Sequence, residues 1–278
     1  MRSEYSTRAG IAALVERVSD RDRLVLLDLA RVRVLSGSQL TRLHFAELAP
    51  DSRDRTRRRV LARLVERRLA ATLERTVGGV RAGSVGHVYS LDVAGQRALP
   101  FLAARGGDGD ELWVSSQPSN RVRSPATLGS LFLAHALAIA ELYVSLREHE
   151  RARDLALAHF VAEPATWYPD GQGSVIKPDA YARVQAGVVE DCWWIEVDRA
   201  TESIPALRRQ LLAYVDFARR GGVGSDGIMP RVLLTVPHDH RLVAVRAMIN
   251  DLPSPAAELI TPARHDQAVS LVVTTLRS

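Results

Sequence analysis

Ile176-Lys177-Pro178-Asp179 and, just after Cys192, Trp193-Trp194-Ile195-Glu196-Val197-Asp198 are two apolar-flanked segments that each run into carboxylates. Both predict β-strands. Side chains alternate along a strand, so Glu196 and Asp198 share one face, and Lys177 and Asp179 share one face of theirs. Two neighbouring strands of this kind bring Asp179 beside Glu196. Hard divalent cations are held by one or two carboxylates that leave room for water and phosphate. Asp179 and Glu196 are therefore candidate metal ligands, and Mg²⁺ or Mn²⁺ is the cofactor expected of any catalysis there.

Outward from this pair the pattern alternates between helix and strand periods. A helix is predicted near 125–150, with Leu128, Leu131, Phe132, His135, Leu142 and Leu146 on or near its buried side. Strands are predicted near 155–161, 174–184 and 192–198, then a helix near 204–220, a strand near 231–236 and a helix near 241–250. Segments 256–260 and 270–274 read as edge strands. The order predicts an α/β sandwich around a central mixed sheet.

The amino-terminal part carries a different signal. From Asp51 to Arg68 lie eight arginines (Arg53, Arg55, Arg57, Arg58, Arg59, Arg63, Arg67 and Arg68) against Asp51, Asp54 and Glu66. That segment alone matches the net charge of +5 of all 278 residues. Concentrated positive charge is the electrostatic footprint of nucleic-acid binding, and arginine's planar fork suits phosphate and guanine. Ser19-Asp20 caps a helix predicted over 21–34, with Leu24, Leu27 and Leu29 among its apolar positions. Ser36-Gly37-Ser38 breaks it, and a short helix runs through Leu40, Leu43 and Phe45. After Pro50 a third helix sets Val60, Leu61, Leu64, Val65 and Leu69 in one stripe. At helical spacing Arg55, Thr56, Arg59 and Arg63 fall opposite that stripe, with Arg57, Arg58 and Arg68 at its margin. A β-ribbon follows over 71–77 and 87–91, with Arg81 near the tip of a glycine-bearing loop. Three helices and a hairpin look like a winged helix-turn-helix, in which the third helix enters the major groove and the wing touches the backbone. Arg55, Arg59, Arg63 and Arg81 are the expected DNA contacts; the same fold also serves as a protein dimerisation unit.

Glycine, proline and small polar residues over 103–124 read as a linker. The expected division is a winged helix-turn-helix domain at 1–102, that linker, and a second domain at 125–278, an α+β chain overall. Hydrophobic residues make up 46% and charged residues 25%, the balance of a globular protein. No apolar run reaches the ~18–20 residues of a membrane span, and no leader pattern opens the chain. Cys192 is the single cysteine, which excludes an intrachain disulfide and a cysteine-based zinc site. A cytoplasmic location and no membrane partner are expected.

The carboxylate strands and the helix–three strands–helix–strand order resemble the PD-(D/E)XK nuclease superfamily. That resemblance implies an acidic residue from the first helix, Glu141, with Glu150 and Glu163 as alternatives. One branch, the bacterial recombination nucleases, carries Gln-x-x-x-Tyr on the helix after the catalytic strand. Gln210-Leu211-Leu212-Ala213-Tyr214 stands there in this chain, with Arg208 and Arg209 just before it. The residues so implied for catalysis are Asp179, Glu196, Asp198, Lys177, Gln210 and Glu141. The chain departs at Asp198, where lysine is usual. Lysine positions the attacking water and stabilises charge growing on phosphate, which aspartate cannot do. Lys177, Arg199, Arg208 or Gln210 are the available substitutes.

Most of the chain also resembles the replication-relaxation proteins of actinobacterial and other Gram-positive plasmids and integrative elements. The likeness rests on the winged-helix start, His135 to Tyr143, Lys177-Pro178-Asp179-Ala180, and Glu196 to Glu202 ahead of the Arg208–Tyr214 segment. It implies DNA transactions on mobile elements, with double-stranded DNA as partner and a second copy or other mobile-element proteins beside it. Two readings follow: a metal-dependent nickase or endonuclease, or a non-catalytic DNA-binding replication or transcription factor with a degenerate nuclease-like domain. His238-Asp239-His240 has the spacing of a metal-binding pair, but after Pro237 it reads as a loop or helix cap. Trp193 and Trp194 are expected to bury one ring on each side of a strand. Gly221 to Asp226 lacks the lysine and spacing of a phosphate loop.

Overall fold

A computed structural model describes residues 7–73, 87–106 and 130–277. The fold is α+β, and the chain forms two compact units that meet at Val144/Ser145. That boundary lies inside a helix, and most of the stretch expected as a linker, 103–124, lies outside the described residues.

The first unit opens with α1 (Arg8–Val15) and α2 (Asp20–Val32). Ser19 caps α2, with its hydroxyl accepting from Asp22 N and the Asp22 carboxylate accepting from Ser19 N. Strand β1 (Leu35–Ser36) leads into α3 (Gly37–His44), where Ser36 and Gln39 repeat the same reciprocal cap. Helix α4 (Pro50–Glu66) starts on proline, which lacks the N–H that a first turn leaves unpaired. Strands β2 (Ala70–Leu73) and β3 (Val88–Leu91) complete a sheet of order β1-β3-β2, antiparallel throughout. Residues 74–86 between β2 and β3, Arg81 among them, lie outside the described residues.

Leu26, Leu29, Leu35, Leu40, Phe45, Leu61, Leu64 and Leu69 are fully buried and form the centre of this unit. Leu24, expected among the apolar positions of α2, is instead exposed; Val25 and Leu26 take the core. Helix α5 (Val93–Ala104) was not foreseen. Its Gly95 lies so close to Leu69 that a Cβ there would stand 2.0 Å from the Leu69 carbonyl oxygen. Only glycine fits that approach.

Helix α6 (Ser130–Arg151) carries the unit boundary. The second unit continues with β4 (Ala156–Ala162), the short pair β5 (Tyr168–Pro169) and β6 (Val175–Ile176), and β7 (Ala180–Ala186). Then come β8 (Val189–Val197), α7 (Ile204–Arg219), β9 (Arg231–Val236) and α8 (Asp239–Asn250). Last are α9 (Ala256–Leu259), β10 (Ile260–Arg264) and α10 (Ala268–Arg277). The main sheet has the order β10-β9-β8-β7-β4, parallel across β10-β9-β8 and antiparallel across β8-β7-β4. It is a mixed sheet, as expected from the sequence, and has five strands.

One sheet face carries Val161, Tyr181, Trp194 and Val232, in register across four strands and packed under α7 and α8. Trp193, Ile195 and Val197 alternate to the other face, and α10 packs on β7, β8 and β10. Both tryptophans are buried, one ring to each side, as their strand position implies. Two edge-strand expectations fail. Segment 256–260 is mostly α9, and 270–274 lies in α10, whose Val269, Val272, Val273 and Leu276 repeat at helical spacing. Segment 174–184 splits into β6 and β7, interrupted by Pro178, which has no N–H for a ladder.

Candidate functional site

Because Ala162 pairs with Ala180 and Ala180 with Ile195, the next residues of β4, β7 and β8 also fall opposite each other. They are Glu163, Asp179 and Glu196. The Glu163 N–H donates to the Asp179 carbonyl at 2.8 Å, extending the ladder by one step. A carboxylate oxygen of Glu163 lies within 4.8 Å of one from Asp179. Three acids thus occupy one row, two residues beyond the apolar row of Val161, Tyr181 and Trp194 and on the same face.

Two of the three are held by hydrogen bonds. Asp179 Oδ2 accepts from the Val197 N–H at 2.7 Å. Glu196, 3% exposed, accepts from Gln210 Nε2 at 2.6 Å and from the Tyr214 hydroxyl. Gln210 and Tyr214 stand four residues apart on α7, so both reach the same carboxylate. Burial, then the charge of Asp179, pushes the Glu196 carboxyl well above the usual carboxylate range. Tyr214 is raised too, by burial and by Glu196 beside it.

Glu163 and Asp179 approach each other most closely, and Glu196 is the next acid along the row, raised first by its burial and then by the charge of Asp179. Carboxylate oxygens of this kind are the donors that a hard divalent cation takes, and Glu163 and Asp179 are the two that could share one. The sequence named Asp179 and Glu196 as the pair; Glu163, weighed there only as an alternative to Glu141, is the acid that joins them. The signal for Glu163 is register: it follows the last residue of β4, antiparallel to β7. Glu150 instead accepts from Leu157 N and pairs with Arg147. Glu141 belongs to the first unit, where Gln39 and Arg42 donate to it.

Two further residues stand differently from expectation. Asp198 is buried, with Arg241 donating from Nε to Oδ2 at 2.6 Å and from Nη2 to Oδ1 at 3.2 Å, and Ala200 N–H adding a third bond. The bidentate guanidinium cancels its charge, so Asp198 is a structural anchor between β8 and α8. Lys177 does not alternate with Asp179 along a strand, because Lys177 to Asp179 is the irregular link from β6 to β7. Its ammonium lies 4.7 Å from the centre of the Trp167 ring. His238 caps α8, with Nδ1 accepting from Arg241 N, which bears out the cap reading.

Along α4 and the two residues that follow it, six of the eight arginines have protein partners. Arg53 donates to the carbonyls of Ala46 and Leu48, and Arg57 to Thr41 and Asp54. Arg67 reaches the Arg17 carbonyl. Arg58 bonds the Asp54 carbonyl and Arg68 faces Asp92; both are exposed, not marginal. Arg63 forks onto Asp22 at 2.7 and 2.8 Å, and Asp22 is 1% exposed. Arg63 therefore neutralises a buried carboxylate. Arg55 and Arg59, one turn apart, are exposed and have no partner among the described residues.

No described helix is long and apolar enough to cross a membrane. No curated protein and no solved structure matches the chain. Residues 26–232, spanning α2 through the start of β9 and the whole acidic row, match the replication-relaxation family profile. The chain belongs to the replication-relaxation family.

Proposed function

We propose that this protein binds double-stranded DNA of plasmids or integrative elements during replication or relaxation, and that its second unit hydrolyses phosphodiester bonds with Mg²⁺ or Mn²⁺. Family membership supports the setting. The observation that carries the chemistry is the register-matched row of Glu163, Asp179 and Glu196 with Gln210 and Tyr214 fixed on Glu196. The order α6, β4, β7, β8, α7, β9 supports a PD-(D/E)XK-like reading of the second unit. In the first, the order α2, β1, α3, α4, β2, β3 supports a winged helix.

Asp179, Glu196 and Glu163 would hold the cation. When bound, it supplies an acidified water and a polarised phosphate. The chain's own residues do the rest. The Val197 N–H aims Asp179, and Gln210 and Tyr214 keep Glu196 from rotating away. Arg241 removes the charge of Asp198, so it adds nothing to the repulsion in the row. Arg55 and Arg59 offer two unengaged guanidinium groups to backbone phosphates or base edges.

A second reading, a DNA-binding factor with a silent site, is favoured by one observation. Arg241 takes Asp198 out of play where lysine is usual, and Lys177 is turned onto Trp167. A plasmid-nicking assay with Mg²⁺ and Mn²⁺ separates the two. The active reading expects open-circle product that vanishes in Asp179→Ala and Glu196→Ala. Salt-sensitive binding without cutting selects the silent reading. Absence of DNA binding at moderate salt sinks both.

A further inference from the structure

Residues 163–179 cross from β4 to β7 as a small hairpin whose two faces differ. Tyr168 pairs with Ile176 across β5 and β6, and both turn inward. Ile176 is buried, and the Tyr168 ring packs 6.2 Å from Trp194 and 6.1 Å from Phe217. The tip is built around Asp170, whose Oδ1 accepts from Gln172 N and Ser174 N. Near the base, Thr166 Oγ1 donates to the Pro178 carbonyl at 2.5 Å. The hairpin is therefore pinned at core, tip and base.

Trp167, Val175 and Lys177, which flank these inward residues, are all exposed. Trp167 is 45% exposed, although Trp193 and Trp194 are almost fully buried. Lys177, the only lysine in a chain otherwise built with arginine, sets its ammonium over the indole. An exposed indole beside a cation is the pairing that single-stranded nucleic-acid sites use, an aromatic ring for a base and a positive charge for the backbone. Asp179 is two residues from Lys177, a span of about 7 Å in extended chain, or roughly two stacked nucleotides at ~3.4 Å each.

We propose that Trp167 and Lys177 form a binding subsite for an unpaired base of single-stranded DNA leading to the acidic row. This rests on the DNA-handling reading above and deepens it. Every base has a π-face, so stacking on an indole tolerates any sequence, and an ammonium beside it meets the phosphate. A double-stranded segment offers no free face, so the subsite selects DNA that is already opened, as at a melted or nicked site.

The test measures the binding of a labelled oligothymidine and of a labelled duplex by the full chain, without divalent metal, by fluorescence anisotropy. Trp167→Ala should weaken single-strand binding about ten-fold and leave duplex binding unchanged, while Trp167→Phe retains most of the affinity. Lys177→Gln, an exposed change, should weaken it about five-fold. Single-strand affinity unchanged in Lys177→Gln overturns the proposal even where Trp167→Ala fails to fold. Duplex binding together with single-strand affinity indifferent to Trp167 overturns this subsite alone, leaving the hairpin face to a protein partner. Binding of neither DNA by the wild type overturns the wider reading and this one with it.

Discussion

Glu196 combines burial with two close acids, and its raised proton affinity has a consequence for stability. A carboxyl whose folded pKa is raised binds its proton more tightly in the folded chain than in the unfolded one. Its contribution is fully present below the ordinary carboxylate range and is lost as pH rises through the raised folded value. Glu196→Gln keeps the shape and both hydrogen-bonding partners without the charge. Urea unfolding across this window should show wild-type stability falling with pH and the variant nearly level. Equal slopes would show that Glu196 is not raised in the folded chain. The pair Asp179 and Glu196 was legible in the sequence because strand alternation is a local rule. Glu163 was not singled out, because its place depends on which strands become neighbours.

At the scale of elements, α4 divides its arginines between fold and surface. Arg63 offsets the buried charge of Asp22, so Arg63→Ala leaves a carboxylate unpaired and should cost about 1–3 kcal/mol of stability. Arg55→Ala and Arg59→Ala should leave stability within about 0.5 kcal/mol, weaken DNA binding, and each lower the salt slope by about one. Denaturation and a salt titration read the two effects separately. A destabilised Arg59→Ala, or an Arg63→Ala of full stability, would reverse this division. Helical spacing placed all three residues opposite the apolar stripe, and it had no means of seeing Asp22 arrive from α2, 41 positions away in sequence. The carboxy-terminal segments show the same limit. Short apolar runs at 256–260 and 270–274 suit either a strand or a helix, and packing on the sheet selected α9 and α10.

Across the whole molecule two buried carboxylates, one in each unit, carry opposite pH dependences. In the first, burial pushes Asp28 up, but His44 at 3.0 Å, Arg31 and the Tyr143 hydroxyl outweigh it and bring the carboxyl down to about 2. A lowered folded value stabilises above the unfolded 3.8 and is lost as pH falls towards about 2, a contribution of about 2 kcal/mol. With Glu196 acting in the other direction, the summed contribution of these two groups should be greatest within the ordinary carboxylate range, about pH 4. Asp28→Asn should flatten the acid limb and Glu196→Gln the other; a profile that neither variant changes would contradict both assignments. Periodicity, capping residues and charge clustering, all written within a few positions of each other, were enough for the helices of the first unit, the central strands and the candidate carboxylates. Which acid completes the row, which arginines are already spoken for, and why Asp198 is silenced depend on partners 16 to 43 positions distant. Those were decided by folding, because register and ion pairing join residues whose separation along the chain carries no local signal.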